Sequence, residues 1–378
     1  MKKAAIVISS LLLLTGCWDR LPLRNLNLVD IAGVDLDEKS GGVLLDFVVT
    51  KIKKTVQGGG EPVSDTTELK GRTIAEAFEQ GVYMDRGPFS GINTGVFLLS
   101  EKFATKDPVR ELAFLLHAPY TSINTSVFVY EGSVSKLLKI KSSESKTFTH
   151  NMNVFISSLK TNGIMPNVSM MHFIMSHEDP LEDILLPTVK QIDSGLELGG
   201  ALLFRQGEST GIKLSKEQVR MFMFLSGHGK GKQKVAVNLS QSGEGRQPHT
   251  GQVDGTTYAF SAKKVDSKIT VRSEASGLPE VGIRVRLKIN VFALGEEVHT
   301  LKTDYVNRME KELATHLEET AAATIKDLQK ANCDALGIGM QIKAYHPNLW
   351  KSLNWRKDYP QLSIVPHFDV QILNADSD

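Results

Sequence analysis

The sequence predicts an α+β fold of two or three domains, each with a β-sheet packed against α-helices. Three observations carry this prediction. The chain has 378 residues, of which 41% are hydrophobic, enough to fill several cores at ordinary domain size. Apolar residues recur at a spacing of two in some segments and at helical spacing in others. Capping signatures and turns rich in glycine or proline separate those segments.

The N-terminus reads as an export leader. Met1-Lys2-Lys3 is a short cationic start, and Ala4 to Leu14 is an apolar run. That run is shorter than the about 20 residues a membrane-spanning helix needs and suits the core of a signal peptide. It ends in Leu14-Thr15-Gly16-Cys17, which resembles the lipobox of bacterial lipoproteins. The resemblance implies a lipoprotein signal peptide over 1–16, a diacylglyceryl group on the Cys17 sulfur and cleavage after Gly16. Small side chains at Thr15 and Gly16 leave the backbone open to a peptidase, and a thiol is required for the thioether.

In the body, Leu26 to Asp37 and Val43 to Lys53 read as strands joined through Gly41-Gly42. Gly58-Gly59-Gly60 reads as a flexible loop or a hairpin tip. Thr73-Ile74-Ala75-Glu76 is a capping box opening a helix to about Met84. Asn93 to Ser100 is an apolar strand, and Asp107-Pro108 supplies an N-cap and first-turn proline for a helix to about His117. A strand at Ser122 to Tyr130 and helices near 134–139, 146–161 and 167–176 complete one α+β unit ending near Ser194. A new unit opens with a strand at Leu196 to Arg205, a turn at Gly207 to Gly211 and a second capping box at Ser215 to Gln218. Met221, Phe222, Phe224 and Leu225 on the helix that follows read as core. The polar stretch 241–251 reads as a loop, followed by strands near 256–264 and 268–273.

Val281 to Ala293 gives the clearest signal. Val281, Ile283, Val285, Leu287, Ile289 and Val291 alternate with polar or small residues, the pattern of a strand with one buried face. Asp304 to Ala331 reads as a long helix with Val306, Met309, Leu313, Leu317, Ile325 and Leu328 on one stripe. Leu362 to Leu373 is a final alternating strand.

The charge pattern and motifs exclude several function classes. Basic residues number 44 and acidic residues 43, a formal net charge of +1, without the basic excess of a nucleic-acid binder. Cys17 and Cys333 lie at opposite ends, so neither a disulfide framework nor a Cys-rich zinc site is expected. His172 and His177 have the spacing of neither a helix face nor a strand face, and no metal site or cofactor is predicted. Gly227 to Lys232 departs from the phosphate-loop pattern and reads as a glycine C-cap with exposed lysines. No Gly-x-Ser-x-Gly elbow occurs. Cys333 reads as a structural thiol, and the carboxylates of Glu178, Asp179, Glu182 and Asp183 read as a solvated turn around Pro180. No catalytic residue is assigned.

Two features are candidate partner contacts. Arg284, Arg286 and Lys288 form the polar face of the strand at 281–293 and suit an anionic partner or lipid headgroups, although a solvated sheet face is the plainer reading. Trp350 and Trp355 suit a docking contact or, more plainly, a cap on the core.

The stretch Cys17 to Glu38, "CWDRLPLRNLNLVDIAGVDLDE", resembles the start of the Ger(x)C family, the lipoprotein C subunits of spore germinant receptors. "GRTIAEAFEQGVYMDRGPFSGINTGVFLLSEKFA", "GGALLFRQGESTGIKLSKEQ" and "TIKDLQKANCDALGIGMQIKAYHPNLWKSLNW" resemble family stretches in the same order. The resemblance implies three consecutive α+β domains, each with a mixed or antiparallel sheet, here over 17–194, 195–275 and 276–378, the last with the long helix 304–331. It implies a non-catalytic, cofactor-free subunit anchored through Cys17 to the outer face of the spore inner membrane. It also implies partnership with integral-membrane A and B subunits in nutrient-triggered germination. The alternative is a lipoprotein solute-binding component of a transporter; the alternating strands at 281–293 and 362–373 argue against the parallel sheets of that class.

Overall fold

The computed structural model describes residues 27–54, 60–84, 89–118, 121–144, 147–229, 233–239, 256–273, 277–294 and 303–375. The expected leader, Cys17, the loop at 241–251 and the lysines at 230 and 232 lie outside them. Among the described residues the strands form two mixed sheets.

The first sheet begins with a meander of β1 (Asn27–Leu36), β2 (Val43–Lys54) and β3 (Gly60–Gly71), paired antiparallel. The sequence reading missed β3, whose polar segment Glu61 to Lys70 lacks an apolar alternation. Helix α1 (Ile74–Val82) is capped by Thr73, whose Oγ1 accepts from the Glu76 N–H at 3.2 Å. The box is only half closed, because the Glu76 carboxylate accepts from the Arg72 N–H at 2.8 Å instead of from Thr73.

The two-residue strand β4 (Phe89–Ser90) leads to β5 (Val96–Ser100), and the short helices α2 (Glu101–Ala104) and α3 (Pro108–Leu112) follow. Asp107 precedes Pro108 as expected, but it sits at φ 48° and its side chain caps nothing. Then come β6 (Ser126–Tyr130), α4 (Val134–Glu144), α5 (Phe148–Thr161), α6 (Met170–Met175) and β7 (Ile184–Ile192).

β1, β5, β6 and β7 run parallel, and β5 and β6 are buried at every residue. The near-continuous apolar runs of these strands follow from their place in the middle of the sheet, with a helical layer on each face. Ile74, Phe103, Leu112 and Phe173 pack one face. Leu138, Met152, Ile156 and Phe222 pack the other.

The sheet does not stop at Ser194. β7 turns directly into β8 (Gly195–Arg205), which pairs with it antiparallel from Ile192↔Gly195 to Ile184↔Phe204. β9 (Glu208–Ser215) then closes the edge. The boundary expected between 194 and 195 thus falls inside a hairpin. Of the expected Gly207–Gly211 turn, only the start is a turn, and the rest is strand β9.

Helix α7 (Lys216–Leu225) starts with a complete capping box: Ser215 Oγ accepts from the Gln218 N–H at 3.2 Å, and Gln218 Oε1 accepts from the Ser215 N–H at 3.0 Å. Its last five residues, Met221 to Leu225, are buried all round because this end serves two cores. Val219, Phe222 and Met223 pack on the first sheet, while Met221, Phe224 and Leu225 pack under the second. Gly227, at φ 73°, ends it as the expected glycine cap.

The second sheet runs β10 (Lys234–Leu239), β11 (Thr256–Arg272), β12 (Glu280–Leu294) and β13 (Ser363–Ala375). The two strands expected at 256–273 are one bulged strand, β11. Helix α8 (Thr303–Lys330) lies on the inner face with Met309, Leu313, Leu317 and Ile325 buried, and α9 (Ile338–Tyr345), α10 (Pro347–Ser352) and α11 (Trp355–Asp358) follow. All the inward residues of β12 from Val281 to Val291 are 0–1% exposed.

β12 and β13 pair in parallel, which corrects the inference drawn from their alternation. One-sided burial produces the pattern whatever the strand direction. β13 is an edge strand whose outward backbone is occupied: Glu318 accepts from the Phe368 N–H at 2.9 Å, and Glu310 from the Ile372 N–H at 2.7 Å.

The two faces of β12 should respond oppositely to truncation. Leu287→Ala should cost about 2–5 kcal/mol through lost burial and a residual cavity. Arg284→Ala should stay within about 0.5 kcal/mol. Urea unfolding midpoints of the two variants check both values.

Candidate functional site

The junction between the sheets gathers most of the strongly perturbed groups. Asp183, one residue before β7, is fully buried at its side chain, and Arg356 of α11 is 27% exposed. The guanidinium forks onto it: Nη1 donates to Asp183 Oδ2 at 2.6 Å and Nη2 to Oδ1 at 2.9 Å. The Asp334 N–H adds a third bond to Oδ2 at 2.7 Å. A planar fork matched to a carboxylate is the geometry in which arginine is strongest. Burial pulls the Arg356 guanidinium down, but its bonds to Asp183 outweigh that and leave it above its usual range. Asp183 is therefore not the solvated turn residue the sequence suggested, whereas Asp179 is exposed and accepts from the Leu181 N–H.

Asp334 lies next to this pair, buried at 1% exposure. Its oxygens accept from the Ile338 and Gly339 N–H groups at 2.9 and 2.7 Å, holding the start of α9. Burial pushes its carboxyl up to about 7 against those bonds. Cys333 is buried beside the Phe204 carbonyl, 3.5 Å from its sulfur, and burial holds its thiol well above the usual range. A thiol held neutral by burial is a poor nucleophile. Burial likewise raises Tyr359 well above its usual range, and its hydroxyl donates to the Cys333 carbonyl at 3.1 Å.

Trp350 and Trp355 sit on this junction. Their ring centroids are 5.7 Å apart, and Trp355 lies 5.3 Å from the Tyr359 ring. Trp355 is 6% exposed, so little of it is left for a partner; Trp350 is half-buried. Trp355 lies directly on Gly339, where a Cβ would stand 2.5 Å from Cε2. Glycine is needed there to let the indole approach the backbone.

A second carboxylate cluster lies under the meander. Ser135 of α4 donates to Asp46 at 3.2 Å and to Glu68 at 2.7 Å, and Lys139 pairs with Glu68 at 2.5 Å. Burial, aided by the Glu68 charge, pushes Asp46 up to about 7. Burial also acts to raise Glu68, but the bonds from Lys139 and Ser135 prevail and hold it below the usual range. Among the described residues no group of histidine, cysteine, aspartate and glutamate side chains is arranged to hold a metal ion.

The third feature is the outward face of the second sheet, where the expected contacts Arg284, Arg286 and Lys288 project from β12 and are exposed. They are neighbours on one strand and lie on the opposite side of the sheet from the tryptophans. Sequence reasoning missed Asp183, Asp334 and Arg356 as a unit because their pairing spans 173 residues. Asp334 and the glycine-tryptophan pattern do lie within the last family-like stretch quoted above.

Two families of known proteins match the chain. Residues 19–191 match "Spore germination protein N-terminal domain". Residues 199–375 match "Spore germination B3/ GerAC like, C-terminal". Spore germination protein GerQC of Bacillus cereus is 21% identical over 378 residues, covering 99% of this chain and 99% of its own length. Spore germination protein KC of Bacillus subtilis (strain 168) is 20% identical over 407 residues, covering 96% of this chain and 92% of its own length. The crystal structure of the GerBC protein superposes with a TM-score of 0.57 at 15% identity, covering 91% of this chain and 97% of that chain.

Removing one partner of the buried fork should be costly. Arg356→Ala leaves the Asp183 charge uncompensated and should destabilise by about 3–5 kcal/mol, read as a shift of the urea midpoint. The carboxyl raised to about 7 at Asp46 sets a pH dependence. The folded state holds a proton there that the unfolded chain has lost by that pH, so stability falls as pH rises from about 4 to about 7. Asp334, raised to the same value, contributes alike, so Asp46→Asn should remove about half of that slope in urea unfolding measured across the window; an unchanged slope would remove Asp46 as one of its sources.

Proposed function

The chain belongs to the Ger(x)C family of spore germination proteins, and on that premise we propose that it is a lipid-anchored, non-catalytic C subunit of a spore germinant receptor. It acts with integral-membrane A and B subunits in nutrient-triggered germination, on the outer face of the spore inner membrane. One observation carries this reading. The two family matches run in order over 19–191 and 199–375, and the first begins just past Cys17. Nearly the whole body is therefore family domain, and what precedes it has the form of a lipoprotein leader.

The acylated Cys17 supplies the attachment. Each buried CH₂ contributes about 0.8 kcal/mol, and two acyl chains hold where one does not. Among the described residues no helix is long and apolar enough to cross a membrane. A tether of this kind raises the effective concentration beside membrane partners without any further contact. The non-catalytic reading is supported by the chemistry of the perturbed groups. Asp334 is occupied by backbone donors and Asp183 by Arg356, which leaves neither free to act on a substrate.

Cys17→Ala should abolish the acyl mass, move the protein from the membrane fraction to the soluble fraction and silence the response to its nutrient. Purification of the wild-type protein from spore membranes should bring the A and B subunits with it. A native molecule with a bare thiol at Cys17, or full germination by the unacylated variant, would overturn the proposal.

A further inference from the structure

The outward face of the second sheet carries an unresolved electrostatic conflict. Register places Lys268 of β11 opposite Arg284 of β12, and Lys264 opposite Lys288. Like charges directly across a ladder destabilise a sheet. The acids on this face relieve it only in part: Asp266 and Asp369 flank Arg286 in register, and neither stands across from Lys268 or Arg284. Asp266 pairs with Lys264 at 3.1 Å, and Asp369 pairs with His367 at 3.1 Å. Among the described residues Lys268, Arg284, Arg286 and Lys288 make no ion pair. The helices α7, α8 and α9 all pack on the opposite, buried face, and among the described residues no helix covers the outward one.

Farther along the same face the cations meet exposed apolar side chains. Phe292 is 41% exposed, with the Lys234 ammonium 5.9 Å from its ring centroid. Leu373, at the corresponding end of β13, is 46% exposed. Rows of lysine and arginine beside an exposed aromatic are the composition of a protein surface that rests on anionic headgroups, with long side chains reaching the phosphates and the ring at the acyl boundary. The cations are spread along strands roughly 4.8 Å apart and do not converge on a point, which fits a plane of charge better than a small anion.

From this arrangement we infer that the outward face of β11 and β12 docks on the anionic phospholipid headgroups of the bilayer, orienting the tethered chain. The inference rests on the anchored reading only for bringing the face to the membrane. Each Lys or Arg near such a surface contributes about 1 kcal/mol, so the conflict that costs the free sheet stability becomes an attraction at the membrane.

The test uses the purified full chain on phosphatidylcholine vesicles with and without phosphatidylglycerol. The readout is the amine-labelling rate of Lys264, Lys268 and Lys288 by peptide mass spectrometry, with exposed Lys39 and Lys106 as references. The face lysines should label severalfold more slowly on the anionic vesicles alone, and raised salt should restore them as the screening length contracts. Arg284→Gln combined with Arg286→Gln should clearly weaken the protection while leaving the unfolding midpoint close to that of the parent. Equal labelling on the two vesicles, or protection unchanged in the double variant, would overturn the inference. So would protection confined to receptor complexes and absent on protein-free anionic vesicles, an outcome that assigns the face to an acidic protein. Flotation on neutral vesicles reports the anchor separately, so either reading can fail without the other.

Discussion

The buried fork between Arg356 and Asp183 is the constraint on which the rest of the molecule depends. It ties the head of a strand in the first sheet to a short helix under the second, across 173 residues of sequence. Isolated charges at this depth would each cost several kcal/mol, so the two sheets are bound to the one arrangement that keeps them paired. Asp334, Tyr359 and the indole of Trp355 are stacked around that pair. Helix α7 reinforces it by sending alternate apolar faces into each core. A load applied to either sheet is therefore passed to the other through polar bonds as well as packing.

The division into two family blocks does not coincide with a division of the sheets. The gap between them, at 192–198, lies in the hairpin of β7 and β8. The strands that finish the first sheet belong to the second block. A fragment ending at the first block would expose β7 as an edge strand, with Ile184, Leu185 and Leu186 at its start. Physical and evolutionary units overlap here without matching.

Much of the architecture was legible wherever a local pattern determines it. The alternation from Val281 to Val291, the capping box at Ser215 and the stripe on α8 depend only on neighbours in sequence, and each element stands where it was expected. Strand direction was not legible, since β12 looks the same beside a parallel or an antiparallel partner. The polar strand β3 gave no periodicity to read. Asp183 reads as a surface turn because its partner Arg356 lies 173 residues along the chain, and composition near Pro180 contains no trace of it. Trp350 and Trp355 are recognisable as a pair in the sequence, but only Gly339 shows why Trp355 lies against the backbone.

A chain held at a surface is concentrated in two dimensions, and a bare strand edge is the template on which identical chains join edge to edge. Glu310 and Glu318 occupy outward amide donors of β13, so at that rim a passing strand meets two carboxylates in place of open backbone. Crowding of many copies in one patch of membrane would then leave this side of each molecule resistant to fibrous aggregation, and close packing there must proceed through side chains.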